Sequence, residues 1–129
     1  MILDTTVLVA AERRASRVDA LIQDDDDVAI AAITAAELLV GVELADHRRR
    51  AARQAFVEDV LTAIPIEDYD LGVARAHAGL LVHVRRSGRP RGAHDLLIAA
   101  TASARRREVV TADEHAFVDL PDVVVRSAG

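Results

Sequence analysis

Short, bare apolar runs alternate along this chain with longer stretches of helical character, and that alternation leaves few folds open. Met1-Ile2-Leu3, Val28-Ala29-Ile30-Ala31, Val109-Val110 and Val123-Val124-Val125 are β-forming runs, with an edge-like candidate at Ile64-Pro65-Ile66. Residues 5–11 (a helical turn), 17–23, 34–45, 47–62 and 69–86, and a stretch beginning near Asp95, read as helices. Strands that lack polar alternation are covered on both faces, so the expected architecture is α/β, a mainly parallel sheet between two layers of helices. No repeat, low-complexity segment or linker divides the 129 residues, and residues 1–129 are expected to form one domain around one core. That core must be aliphatic, because aromatic residues make up only 2% of the chain.

The most helix-committed stretch is Ala93-His94-Asp95-Leu96-Leu97-Ile98-Ala99-Ala100-Thr101-Ala102. Ala and Leu are strong helix formers, and a helix apolar around most of its circumference belongs inside a domain. One acid stands at its head. Asp95 either complements the positive helix N-terminus or faces a site. The loop before it, residues 87–92, holds two Gly, one Pro and one Ser, the clearest break in the chain.

Composition removes several classes of function. The chain has no Cys, which excludes a thiol nucleophile, a disulfide scaffold and a cysteine-based zinc site, and fits a reducing cytoplasm. Ile2 enters the apolar pattern with no basic region before it, so no signal peptide is expected. Residues 28–45 are the one membrane candidate, and they carry Glu37, Glu43 and Gly41. Each acid at the centre of a spanning helix costs roughly 2.5–3.5 kcal/mol, which argues for a soluble, non-membrane protein. Net charge is −5, yet all 16 basic residues are Arg, ten of them clustered at 48–50, at 85–91 and at 105–107. Arg forks match phosphate geometry, although a solvated helix face is the simpler explanation of any one cluster. The four consecutive acids Asp24 to Asp27 read as a solvated turn, because they repel one another too strongly to point inward together.

Four other acids stand where elements meet. Asp4 ends the first strand, Glu37 lies early in the helix after the second, Asp95 heads its helix and Asp113 follows the Val109 strand. Ligands of open α/β sheets collect beyond the carboxyl ends of the strands. Each acid also has an ordinary structural explanation. Thr34 with Glu37, and Thr111 with Glu114, have capping-box spacing, while Asp4 and Asp95 suit helix starts. Convergence would change the physics, since two carboxylates about 4 Å apart repel by roughly 4 kcal/mol at an effective dielectric near 20. Such a group of acids needs a cation, and an all-oxygen donor set favours Mg²⁺ or Mn²⁺ and phosphodiester hydrolysis by an activated water. Asp95 joins the others only if the loop before it returns to their edge.

The succession Leu3-Asp4-Thr5, Thr34-Ala35-Ala36-Glu37-Leu38, the Asp95 stretch and Thr111-Ala112-Asp113 resembles the PIN-domain nucleases over essentially the whole chain. Among them it looks most like the VapC-type toxins of bacterial toxin–antitoxin pairs. The resemblance implies a three-layer α/β/α fold and a ribonuclease dependent on Mg²⁺ or Mn²⁺. It carries the site over as Asp4, Glu37, Asp95 and Asp113, with Asp4 and Asp95 as direct metal ligands and the other two binding through water or orienting it. It further implies an RNA substrate, a small cognate antitoxin that covers the site, a homodimer and a cytoplasmic location. Asp113 is chosen over the adjacent Glu114 by its offset from Thr111. Thr5, Thr6 and Thr111 are read first as turn and cap residues, and second as hydrogen-bond donors to a carboxylate or phosphate. His94 is read as a helix-start residue, and Arg75 and His77 as candidates to lie near an RNA groove.

Other phosphate-handling α/β folds fit poorly. A receiver domain needs a Lys late in the fold, and the chain has none; a haloacid-dehalogenase-like phosphatase needs an Asp where Thr6 stands. Two alternatives within the fold remain: a nuclease of RNA processing without an antitoxin, and a non-catalytic binding module.

Overall fold

A computed structural model describes residues 1–15, 18 and 27–128. The helix expected at 17–23 and the acids Asp24 to Asp26 lie outside the described residues. The elements, in order, are β1 (Ile2–Leu3), α1 (Thr5–Arg13), β2 (Ile30–Ala31), α2 (Ala32–Leu44), α3 (Arg50–Ala63), β3 (Ile66–Glu67), α4 (Leu71–Ser87), α5 (Ala93–Arg105), β4 (Val109–Thr111) and β5 (Val125–Ser127). A 3₁₀ turn, Glu114–Ala116, follows β4.

All strand pairs are parallel. β1 pairs with β4 through Ile2–Val109 and Leu3–Val110, β4 with β5, and β2 with β3 through Ile30–Ile66. One bridge, Ile2 to Ala29, joins the two sets, with the Leu3 and Ala29 amides donating to the Ala29 and Met1 carbonyls at 2.9 Å each. The strands therefore lie side by side in the order β3-β2-β1-β4-β5.

Successive strand residues point to opposite faces, and the core divides accordingly. Ile2, Ala29 and Val109 face α4 and α5, where they meet Val73, Leu80, Ile98, Ala99, Ala102 and Phe117. Leu3, Ile30 and Val110 face the other way, toward Leu8 of α1, Leu38 of α2, and Val57 and Val60 of α3. This is the three-layer arrangement. Full burial of each such aliphatic side chain is worth about 1.5–3 kcal/mol, and the small residues of α5 let that helix approach the sheet closely. No helix among the described residues is long and apolar enough to cross a membrane.

Several boundaries differ from the expectation, three of them by more than fraying at an end. α5 begins at Ala93, placing Asp95 inside its first turn. β5 runs over Val125–Ser127, two residues later than the valine run suggests, because Val109 of β4 pairs with Val125. α2 begins at Ala32, with Ala31 as its N-cap, so Thr34 is already helical.

The turn of chain that matters most for function lies between α4 and α5. Arg105, in the last turn of α5, donates to both carboxylate oxygens of Asp70, the N-cap of α4, at 3.0 and 3.3 Å. The two helices consequently lie antiparallel, and the first turn of α5 sits where α4 ends. Gly88 makes that reversal possible: it caps α4 at φ +67, a left-handed conformation that side chains with a Cβ rarely adopt.

Candidate active site

The first strand delivers its acid to the sheet edge directly. Asp4 follows β1, its amide donates to the Val110 carbonyl at 2.8 Å, and its side chain is 2% exposed. Asp4 is the N-cap residue of α1, yet its carboxylate makes no cap hydrogen bond. Oδ2 instead accepts from two hydroxyls, Thr6 at 2.7 Å and Thr111 at 2.8 Å. A buried carboxylate needs such donors, since an unpaired buried charge is costly. Thr6 also donates or accepts at 3.3 Å with Thr111, and receives the Ala112 amide at 3.1 Å, which ties α1 to the end of β4.

Glu37 is held in a similar way. Thr5 donates to its Oε1 at 2.9 Å, and His94 Nδ1 stands 3.2 Å from its Oε2. The capping-box reading of Thr34 and Glu37 fails, because Ala31 occupies the cap position and Glu37 lies beyond the first turn. The corresponding reading of Thr111 and Glu114 fails as well. Thr111 is a strand residue whose hydroxyl is spent on Asp4, and Asp113 is the N-cap of the 3₁₀ turn, without a side-chain cap bond. The threonines, read from sequence first as turn and cap residues, are instead the donors that fix the acids. Thr6 reaches Asp4 from two residues away, whereas Thr5 and Glu37 are 32 residues apart and Thr111 and Asp4 are 107 apart, separations that leave no local signal.

Asp95 completes the group. Its carboxyl is raised above the ordinary value of 3.8, first by burial and then by the charges of Asp4, Glu37 and Asp113, against a smaller opposing effect of His94. Carboxylates from three other segments therefore act on Asp95 at one edge of the sheet. The loop before α5 does return to the carboxyl edge, as the antiparallel α4–α5 pair requires.

Asp4, Glu37 and Asp95 line a cleft of about 660 Å³ with Thr5 and Thr6, and Arg13 and Arg14 stand at its border. Asp113 does not line that cleft itself; its neighbour Ala112 does. Arg75 and His77 lie elsewhere on α4, where His77 Nδ1 is 2.9 Å from the Tyr69 hydroxyl. Among the described residues, no three acid or His side chains form a ready-made metal cluster. The donor set nevertheless suits a hard cation: carboxylate and hydroxyl oxygens, no thiolate, and enough negative charge to raise Asp95. Mg²⁺ in particular needs only one or two carboxylates, the remainder of its shell being water and substrate phosphate.

Residues 1–123 match the PIN domain family model. The chain is 40% identical over 116 residues to Ribonuclease VapC5 of Mycobacterium tuberculosis, covering 88% of this chain and 82% of that one. It also superposes on VapBC-5 of M. tuberculosis, a member of the VapBC family of toxin–antitoxin systems, with a TM-score of 0.79 and 35% identity over 98% and 97% of the two chains. VapBC2 of Rickettsia felis, solved bound to a DNA fragment from its promoter, has the same fold, with a TM-score of 0.88 at 23% identity over 99% and 98%. Matched by the family model over nearly its whole length, and by a ribonuclease of that family at 40% identity, the chain belongs to the PIN-domain VapC ribonucleases.

Proposed function

We propose that this VapC-type toxin cuts RNA at the cleft of Asp4, Glu37 and Asp95, with Asp113 completing the acid group and Mg²⁺ or Mn²⁺ as cofactor. The observation that supports the reading is the action of three carboxylates, each from a different segment, on the buried carboxyl of Asp95. Asp4 and Asp95 are the proposed direct ligands. When bound, the cation supplies Lewis acidity to water and phosphate and favours the ionised form of all four acids.

The residues of the chain divide the remaining work. Thr6 and Thr111 hold one oxygen of Asp4 fixed, and among the described residues Oδ1 takes no hydrogen bond, so it is available to the cleft. Glu37 has both oxygens engaged, by Thr5 and His94, which suits an acceptor that orients a water rather than a direct ligand. The same acidic cleft is a fitting target for a basic side chain, and a small cognate antitoxin is the proposed partner that covers it.

The test is cleavage of a mixed RNA pool by the purified chain, free of antitoxin, with Mg²⁺, with Mn²⁺ and with EDTA. Cleavage is expected to need the metal and to vanish in Asp4→Asn and Asp95→Asn. Glu37→Gln, silent if the residue merely capped a helix, is expected to lower the rate. Metal-dependent cutting that persists in Asp95→Asn would overturn the site.

A further inference from the structure

Beyond the acid cleft, the molecule carries a second pocket of opposite charge. It has a volume of about 490 Å³, lies between the end of α1 and the start of α3, and is lined by Arg13, Arg48, Arg49, Arg53 and Phe56 with a single acid, Glu12. Four guanidinium groups against one carboxylate is an unbalanced wall in a chain of net charge −5. Arg53 is already spent: its Nε and Nη2 pair with Glu12 at 3.2 Å each, and its Nη1 donates to the Gly41 carbonyl. The others are not. Arg49 reaches only Asp46, at 4.0 Å and exposed, while the guanidinium groups of Arg13 and Arg48 have no partner among the described residues. The start of the 14-residue helix α3 adds positive partial charge on the same side.

The basic pocket is not isolated from the acid cleft. A narrower cavity of about 220 Å³ lies between them. It shares Thr5, Glu37 and Arg13 with the cleft, and Glu12, Arg53 and Phe56 with the basic pocket. One groove thus runs from the acids, past Arg13, to the Arg48–Arg49 corner, with the half-buried ring of Phe56 along its side. Unpaired Arg forks bind phosphate oxygens, and an aromatic ring offers a stacking face to any base.

We propose that this groove is a second RNA subsite: a single strand whose scissile phosphate lies at the acids continues to the basic pocket, where Arg13, Arg48 and Arg49 hold its backbone phosphates. The proposal rests on the nuclease reading above and deepens it. It assigns a polyanion, single-stranded RNA, to a wall whose charge is otherwise unmatched among the described residues. With its guanidinium groups on backbone phosphates and Phe56 as a stacking face, the subsite contributes affinity and strand direction rather than sequence choice.

The test uses the full chain carrying Asp95→Asn, so that RNA is bound without being cut, and a fluorescein-labelled oligouridylate titrated over a range of salt. Arg48→Gln with Arg49→Gln is then added; both side chains are exposed, so the fold is kept, which circular dichroism checks. Loss of two phosphate contacts is expected to weaken binding about tenfold at low salt and to reduce the slope of log K against log salt by roughly 1.4. Arg48→Lys with Arg49→Lys, which keeps the charge, is expected to hold the slope. An unchanged slope and affinity in the Gln pair, with the parent binding RNA, would overturn the subsite and leave the nuclease reading standing. A polyglutamate peptide that loses binding in the Gln pair, while RNA does not, would assign the pocket to an acidic peptide instead. A parent that neither binds RNA nor, with Asp95 restored, cuts it would remove both readings together.

Discussion

Burial and three neighbouring carboxylates act on Asp95 in the same direction, so its proton is held more tightly in the folded chain than in the unfolded one. An acid whose folded value lies above its unfolded value loses stability as pH rises through the window between the two, because there the folded state binds more protons. Above that window the cost is present in full. Asp95→Asn removes the charge and keeps the shape, and is expected to melt at a higher temperature than the wild type at neutral pH. The gain should shrink as pH falls toward 3.8, the ordinary carboxyl value. Thermal melts across that range check the sign, and Mg²⁺ should raise the melting temperature of the wild type far more than that of the variant. A variant less stable than the wild type at neutral pH would show that Asp95 serves the fold rather than a site. At this scale the sequence supplied the acids and their chemical type. It offered Thr5, Thr6 and Thr111 as donors only as a second reading; Thr6 holds Asp4 from two residues away, but which acid Thr111 holds depends on the pairing of β1 with β4.

Elements are held in register by longer side chains, and the loop before α5 is the instructive case. Arg91 reaches across it to donate to the His115, Ala116 and Val118 carbonyls, joining the segment that leads into Asp95 to the turn that follows Asp113. A charged donor spent on backbone carbonyls is worth roughly 1.5–3 kcal/mol in sum, and here it also fixes the separation of two acids. Arg91→Ala is expected to cost about 1–2 kcal/mol in chemical unfolding and to lower kcat, with KM for RNA nearly unchanged. Arg91→Lys, which retains a cation but not the fork, should recover part of each loss. A fall in stability with kcat intact would limit Arg91 to a structural role. The loop itself was plain from its Gly and Pro content, whereas the clamp was not, because an Arg in a polar loop looks the same in sequence whether it is solvated or spent.

Over the whole molecule, the sheet separates two apolar clusters, and only one of them contains an aromatic side chain that is fully buried. Phe117, 1% exposed, closes the cluster beneath α4 and α5 just after the turn that carries Asp113. Phe117→Ala is expected to cost about 3–5 kcal/mol, much of the total stability of an ordinary domain, read as a lower urea midpoint with an unchanged m-value. What the sequence determined by itself is the order of elements, the parallel sheet and the hard, oxygen-only character of the site. Those follow from periodicity, from bare apolar runs and from the absence of Cys, all of them local properties. Tertiary structure decided the rest. Antiparallel packing of α4 on α5 returned Asp95 to the edge where Asp4 and Glu37 already stood, and Thr111 reached Asp4 from another strand. A helix start and a site acid ask for the same residue types, and only the position of the neighbouring segments brings such acids together.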